Sequence, residues 1–262
     1  LSDAGGDDTY SLDLSANSSV SRSVSDACAQ PCVPAPAVAI APPITAAGQG
    51  YGATGALGLV EDAAGNDTYR VRLHQSATAV ARDDRTQPGA EVLSGHAGVS
   101  GPTYRGQGAA IGAGAGSTID SQGNDKYETV ITASTEVRGH AAIAANEPSV
   151  SVSGGRAKAL VQGAAGTTGS AGGLIDLGGY DVYSASVSSS MARNEAEPVA
   201  GAVMVDAQAA VEDGGNAVGV AVDLDGVQDD MYSTTPATPA CTGVRGQAVW
   251  QDCGRVGIGV NA

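Results

Sequence analysis

The amino-acid sequence predicts an all-β fold, a parallel β-helix or β-solenoid of about five repeat units, and three observations carry that prediction. A short pattern recurs five times: an Asp, a second Asp five residues later, one residue, then a Tyr. Glycine-rich segments lead into three of these patterns, starting at Gln49, Gln107 and Gln162, which lie 20, 20 and 21 residues before Tyr69, Tyr127 and Tyr183. After the patterns, apolar and polar residues alternate with a period of two, as in "YRVRLHQSATAVAR" and "YETVITASTEV", and long helical periodicity is absent.

The pattern reads Asp3–Asp8–Tyr10, Asp62–Asp67–Tyr69, Asp120–Asp125–Tyr127, Asp176–Asp181–Tyr183 and Asp225–Asp230–Tyr232. Gly6, Gly65, Gly123 and Gly179 stand two residues before the second Asp, and Gln228 takes that place in the fifth copy. Two carboxylates fixed around a bend, with Asp7, Asn66, Asn124 and Asp229 beside them, suit a hard cation that collects oxygen ligands. Calcium, which takes six to eight oxygens from carboxylates, carboxamides and carbonyls, is the expected ion. One Ca2+ per bend is the sequence expectation, held by the Asp pair of that bend. The alternative for any single copy is an Asp that caps its own turn through backbone N–H groups; five copies in register favour the ion.

Successive tyrosines are 59, 58, 56 and 49 residues apart, so the unit is long and shortens toward the C-terminus. A fixed period built from strands and Gly/Asx bends points to stacked coils. Units at about 1–58, 59–116, 117–172, 173–222 and 223–262 make one domain over 1–262, each with two or three expected coils. The first unit contains "CAQPCVPAPAVAIAPP", whose prolines exclude helix and disfavour a central strand, so it reads as an excursion or edge cover. In the fourth unit the glutamine landmark is weak, at Gln208. The interior is expected to be narrow, because the chain has no Phe and one Trp while Gly, Ala, Val and Ser dominate.

The formal charge of −15 argues against nucleic acid and anionic membrane as partners. Five divalent ions would bring it to −5, and without them stacked carboxylates repel, so folding and calcium are expected to be linked. Cys28 and Cys32 form one local pair and Cys241 and Cys253 another. Neither spacing is Cys-x-x-Cys and no His lies beside them, so two local disulfides in an exported protein are expected, 28–32 and 241–253 among the three possible pairings. No signal peptide or transmembrane span is visible in the sequence. The last residues, "GQAVWQDCGRVGIGVNA", resemble a stretch that leads into a bend, with Gln247 to Val260 matching Gln49 to Asp62, while the first residues form a bend. The two ends therefore suggest copies stacking head to tail, or a segment cut from a longer array.

The bends "AGGDDTY", "AAGNDTY" and "SQGNDKY" resemble the Gly-Gly-x-Gly-x-Asp-x-(apolar) nonapeptide of RTX-type secreted proteins, whose parallel β-roll binds calcium. The resemblance implicates Asp8, Asp67, Asp125, Asp181 and Asp230 as ligands, puts Asn66 and Asn124 at the variable site and gives the tyrosines the inward apolar place. It covers about a seventh of the chain, since these bends are about 56 residues apart and RTX nonapeptides follow one another directly.

Catalytic patterns are thin. His74, His96 and His140 are isolated, although Gly-His-Ala around the last two suggests equivalent positions. "GTTGSAG" lacks the Lys-Ser/Thr of a phosphate loop, there is no Gly-x-Ser-x-Gly elbow, and no Arg among Arg70, Arg72, Arg105 and Arg138 is placed in a polysaccharide groove. The sequence therefore predicts no enzyme. It predicts a secreted or cell-surface structural repeat protein, stabilised by Ca2+ and self-associating head to tail into a filament or matrix, without nucleic acid or membrane insertion. A calcium-dependent adhesin or surface-layer module, with cell-surface polysaccharide as partner, is the alternative, and a β-helix polysaccharide-active enzyme stands behind it. An ice-binding solenoid would need regular Thr rows, which "TVITAST" and "STTPATP" do not make.

Overall fold

A computed structural model describes residues 1–24, 38–41, 45–83, 96–99, 103–141, 151–154, 157–166, 169–193, 199–200, 203–207, 217–224, 230–235, 250–251 and 256–261. Among them there is no helix, and four largely parallel sheets account for the regular structure. The sheet with the longest strands, the tyrosine sheet, sets Thr9–Val24, Thr68–Asp83, Lys126–Ala141, Val182–Arg193 and Met231–Thr235 side by side. The aspartate sheet is built from Leu57–Asp62, Ala115–Asp120, Ala171–Asp176, Val218–Asp223 and Val256–Asn261. A third sheet holds Thr45–Ala47, Thr103–Arg105, Ala157–Leu160 and Val203–Asp206, and a fourth holds Val38–Ala41, His96–Val99 and Ser151–Gly154.

Every parallel neighbour in these sheets is the equivalent strand of the next repeat. Thr9 faces Thr68, which faces Lys126, which faces Val182, and Tyr10, Tyr69, Tyr127, Tyr183 and Tyr232 form one column. Among the described residues each repeat thus contributes one parallel strand to each sheet it reaches, in place of the expected two or three coils per unit; Val199–Ala200 and Trp250–Gln251 add short antiparallel pairs in the fourth and fifth repeats. The length goes into the tyrosine sheet, whose first three strands have 16 residues each, and into three further short strands.

Alternation along Thr68–Asp83 sends Tyr69, Val71, Leu73, Gln75, Ala77 and Ala79 inward, as the period of two predicts. Val71 and Leu73 pack with Tyr104 and Ala159 from the third sheet and with Ile131 and Val187 from later repeats. The glycine-rich lead-in is a strand only in its last six residues, and before them Gln49, Gln107 and Gln162 turn the chain with φ of 47, 50 and 54°. Each glutamine reaches across the interior to the tyrosine sheet. Gln107 Nε2 donates to the carbonyls of Tyr69 (2.9 Å) and Glu128 (3.4 Å), and Gln162 Nε2 to those of Tyr127 and Ser184 (both 3.1 Å). These bonds tie two repeats and two sheets together, and they offset a left-handed backbone that is uncommon for a residue with a Cβ.

The proline-rich excursion contributes Val38–Ala41, which is an edge strand of its sheet, as the prolines predict. His96 and His140 are not equivalent: His96 opens a strand of the fourth sheet, and His140 faces Arg82 in the tyrosine sheet. At the C-terminal side Asn261, rather than Val260, aligns with the Asp column, one residue from the sequence alignment. Cys28, Cys32, Cys241, Cys253, Gln208 and Asp225 lie outside the described residues.

Candidate metal centre

At the junction of the aspartate and tyrosine sheets, the bends stack one upon another. Gly65, Gly123 and Gly179 have φ of 153, 158 and 153°, and a Cβ on any of them would overlap the carbonyl oxygen of the glycine one repeat earlier. Only glycine allows this approach, which explains its recurrence. The close stacking then forces the flanking aspartates of successive repeats together.

The leading aspartates Asp62, Asp120, Asp176 and Asp223 occupy one column of the aspartate sheet. In the fifth copy Asp223 stands in this column by register with Asp176, while the sequence-assigned Asp225 lies outside the described residues. Sheet register reveals this; in the sequence the only signal is "VAVD" matching the "GLID" and "STID" strands that precede other bends. The trailing aspartates form a second column linked through the backbone. Asp67 Oδ1 accepts the Asp8 N–H, Asp125 Oδ1 that of Asp67 and Asp181 Oδ1 that of Asp125, each at 2.6 Å, and Asp230 Oδ1 accepts from Asp181 at 2.9 Å. The turn-capping alternative is partly realised at the leading positions, where Asp62 Oδ1 accepts from Ala64 N–H and Asp176 Oδ1 from Gly178 N–H, both at 3.3 Å.

Carboxylate oxygens converge in four groups, with the ligand atoms of each group within 4.8 Å of one another: Asp3/Asp8/Asp62, Asp67/Asp120/Asp125, Asp125/Asp176/Asp181 and Asp181/Asp223/Asp230. Each group joins the Asp pair of one bend, Asp3/Asp8, Asp120/Asp125, Asp176/Asp181 or Asp223/Asp230, to one aspartate of an adjacent repeat, so the acidic groups bridge neighbouring bends. The carboxylates of Asp67, Asp125 and Asp181 are almost wholly buried, and their Oδ2 atoms have no hydrogen-bond partner. Burying a carboxylate oxygen without a partner costs several kcal/mol, on the order of the whole stability of a domain.

The tyrosine column runs alongside. Rings of Tyr10, Tyr69, Tyr127 and Tyr183 stack with centroids 5.0, 4.8 and 4.9 Å apart, and all but Tyr10 are fully buried. The hydroxyl of each reaches a leading aspartate: Tyr10 donates to Asp62 Oδ2 (2.6 Å), Tyr69 to Asp120 Oδ2 (2.8 Å), and Tyr127 and Tyr183 both to Asp176 Oδ2 (3.0 and 3.1 Å). Sequence reading assigned these rings an apolar role; the hydroxyl could be anticipated only from the choice of Tyr over Phe in a chain without Phe. Burial, then the adjacent carboxylates, raises the pKa of Tyr127 and Tyr183 well above 10, which keeps both as donors.

Asn66 and Asn124 make a separate, exposed row. Asn66 donates its N–H and Nδ2 to Asp7 Oδ1 (2.9 and 3.1 Å), Asn124 does the same to Asn66 Oδ1 (3.1 and 3.2 Å), and Tyr180 N–H closes the row on Asn124 Oδ1 (2.9 Å). Their side-chain oxygens are thus engaged with the neighbouring repeat.

Charge makes the buried groups costly. Desolvation, opposed by hydrogen bonds and reinforced by neighbouring carboxylates, raises Asp120 to about 6, Asp176 to about 7, Asp125 to about 8 and Asp181 to about 9, and also raises Asp67. Outermost Asp3 behaves oppositely, lowered by the Gly5 N–H. The donor set is all oxygen, with two or more carboxylates per position, which fits a hard divalent ion better than zinc. Comparison with protein-family models, with curated proteins and with solved structures finds no match to this chain.

Proposed function

We propose that this chain is a secreted, non-catalytic structural protein: a parallel β-solenoid whose stacked bends are stabilised by calcium, and whose copies join head to tail in an extracellular filament or matrix. One observation carries the calcium reading. In three successive repeats the same carboxylate oxygen, Oδ2 of Asp67, Asp125 and Asp181, is buried without a partner beside two further carboxylates. A divalent cation supplies the missing partner and offsets both the desolvation and, after it, the carboxylate repulsion that raise those pKa values. The kinship of these bends with RTX-type calcium bends belongs to the same proposal.

Assembly is supported by the shape of the first repeat. Thr9–Val24 is the outer strand of the tyrosine sheet, and a cavity of about 510 Å3 opens beside it, lined by Tyr10, Leu12, Gln49, Tyr51, Leu59 and Tyr104. An outer strand of 16 residues offers backbone groups that another copy can pair with. In the aspartate sheet Trp250–Gln251 lies antiparallel against Ile258 and Gly259 of the outer strand, which favours the tyrosine sheet for the joint. Contact between unlike ends is heterologous and gives an open filament unless its rotation closes a ring.

Terbium titration tests the ion, because buried tyrosines hydrogen-bonded to the ligand carboxylates should sensitise its emission. Emission displaced by calcium, with a melting temperature that falls in chelator, is expected; the absence of both effects refutes the calcium reading. Electron microscopy with calcium and with chelator tests assembly: a monomer at every concentration removes the filament and leaves a calcium-dependent adhesin module.

A further inference from the structure

We propose that three cation positions in the stack form one linked row, in which Asp125 and Asp181 are each held in common by two neighbouring ions. This rests on the calcium reading above and goes beyond it in stating which carboxylates are shared. Asp125 completes one group with Asp67 and Asp120 and a second with Asp176 and Asp181; Asp181 then completes a third with Asp223 and Asp230. Three groups are therefore served by seven carboxylates, where three separate ones would need nine. Seven negative charges against three divalent ions leave the buried row close to neutral, whereas nine would leave a large uncompensated charge in a place that water does not reach.

The trailing aspartates have the means to serve two ions. Their Oδ1 is spent on the N–H of the preceding repeat, and their Oδ2 is buried and bare in Asp125 and Asp181. The leading aspartates differ. Asp120 and Asp176 each belong to one group and give Oδ2 to a tyrosine hydroxyl. Asp3/Asp8/Asp62 shares no member with the other groups and stands outside the row. An ion entering one position fixes the orientation of a carboxylate that the next ion also uses, so losing a shared carboxylate disables two positions and losing an unshared one disables one.

The experiment counts ions. The full chain is dialysed against calcium chloride near pH 8 and its bound calcium measured by atomic emission, with circular dichroism to confirm β structure. D125N and D181N are each expected to hold two fewer ions than wild type, and D120N and D176N one fewer. One fewer in all four variants overturns the shared row and leaves calcium binding intact; wild type that holds no calcium overturns the calcium reading itself. Should the shared-site variants fail to fold, wild type loaded with a terbium–europium mixture decides. Linked positions one strand spacing apart, about 4.8 Å, shorten the terbium lifetime by energy transfer, and a lifetime unchanged by europium overturns the row.

Discussion

Replacing Asp125 by Asn should change stability in opposite directions with and without calcium. Asp125 is 1% exposed, its Oδ1 accepts the Asp67 N–H at 2.6 Å, and its Oδ2 has no partner. Asn keeps the acceptor and the shape, and puts an NH2 donor where the bare oxygen stood, facing the carboxylates of its two groups. In the calcium-free fold the Asp125 carboxyl lies at about 8 against an ordinary 3.8. At pH 8 that difference corresponds to about 5 kcal/mol of destabilisation as an upper bound. Relaxation and water penetration reduce such penalties, and about 2–3 kcal/mol is the working value. D125N in chelator should therefore melt about 5–8 °C above wild type, at about 2–3 °C per kcal/mol for a chain of this size. With calcium at 100 times the dissociation constant, each position adds about 2.7 kcal/mol, so losing two outweighs the gain by about 3 kcal/mol. D125N should then melt about 6–9 °C below wild type. Calorimetry of both proteins in both conditions checks this. A variant destabilised by the same amount in chelator and in calcium would show that Asp125 only caps a turn, and the charge argument would fail.

Further outcomes follow from the same geometry. Asp176, Asp125 and Asp181 lie at about 7, 8 and 9 in the calcium-free fold, above their unfolded 3.8, so the native state binds more protons than the unfolded chain between roughly pH 4 and 9. Calcium-free stability should fall as pH rises through that window and the calcium-induced gain should grow, which melts at pH 5, 7 and 9 in chelator and in calcium will measure. Tyr127→Phe leaves the ring stack intact and removes one of the two hydroxyls on Asp176 Oδ2, so a loss of about 1–3 kcal/mol by denaturant unfolding is expected. Gly123→Ala places a methyl group against the Gly65 carbonyl and forces an unfavourable φ, so a loss of at least about 3 kcal/mol or failure to fold is expected, whereas Ala at exposed Gly55, which meets no neighbouring atom, costs only its strained φ of 69°, about 1 kcal/mol. Gln107→Met keeps the volume and removes the bonds to Tyr69 and Glu128, with an expected loss of about 2–3 kcal/mol in the same assay.

The sequence alone determined the repeat, the strand character of its halves, the glycine at four of the five bends and the oxygen chemistry of the aspartates. These are local properties: period-two alternation, Gly where stacked backbones touch, and residue types recurring at fixed offsets within ten residues. The glutamine landmark was visible too, although its purpose was not, because its partners Tyr69 and Glu128 lie 38 and 21 residues away. What only the tertiary structure decided is how repeats meet. Spacing suggested that Asp120 pairs with Asp125 in its own bend, but stacking brings Asp67 from the previous repeat and makes Asp125 common to two groups. Spacing chose Asp225, which lies outside the described residues; the sheet ladder puts Asp223 in register with Asp176, which no count along the chain showed. The tyrosine hydroxyls belong to the same class of fact: Tyr69 and Asp120 are 51 residues apart in the chain and 2.8 Å apart in the fold. A pattern within one repeat records what the chain does to itself locally; the charge, burial and sharing of its aspartates are set by the repeat stacked above and the one below.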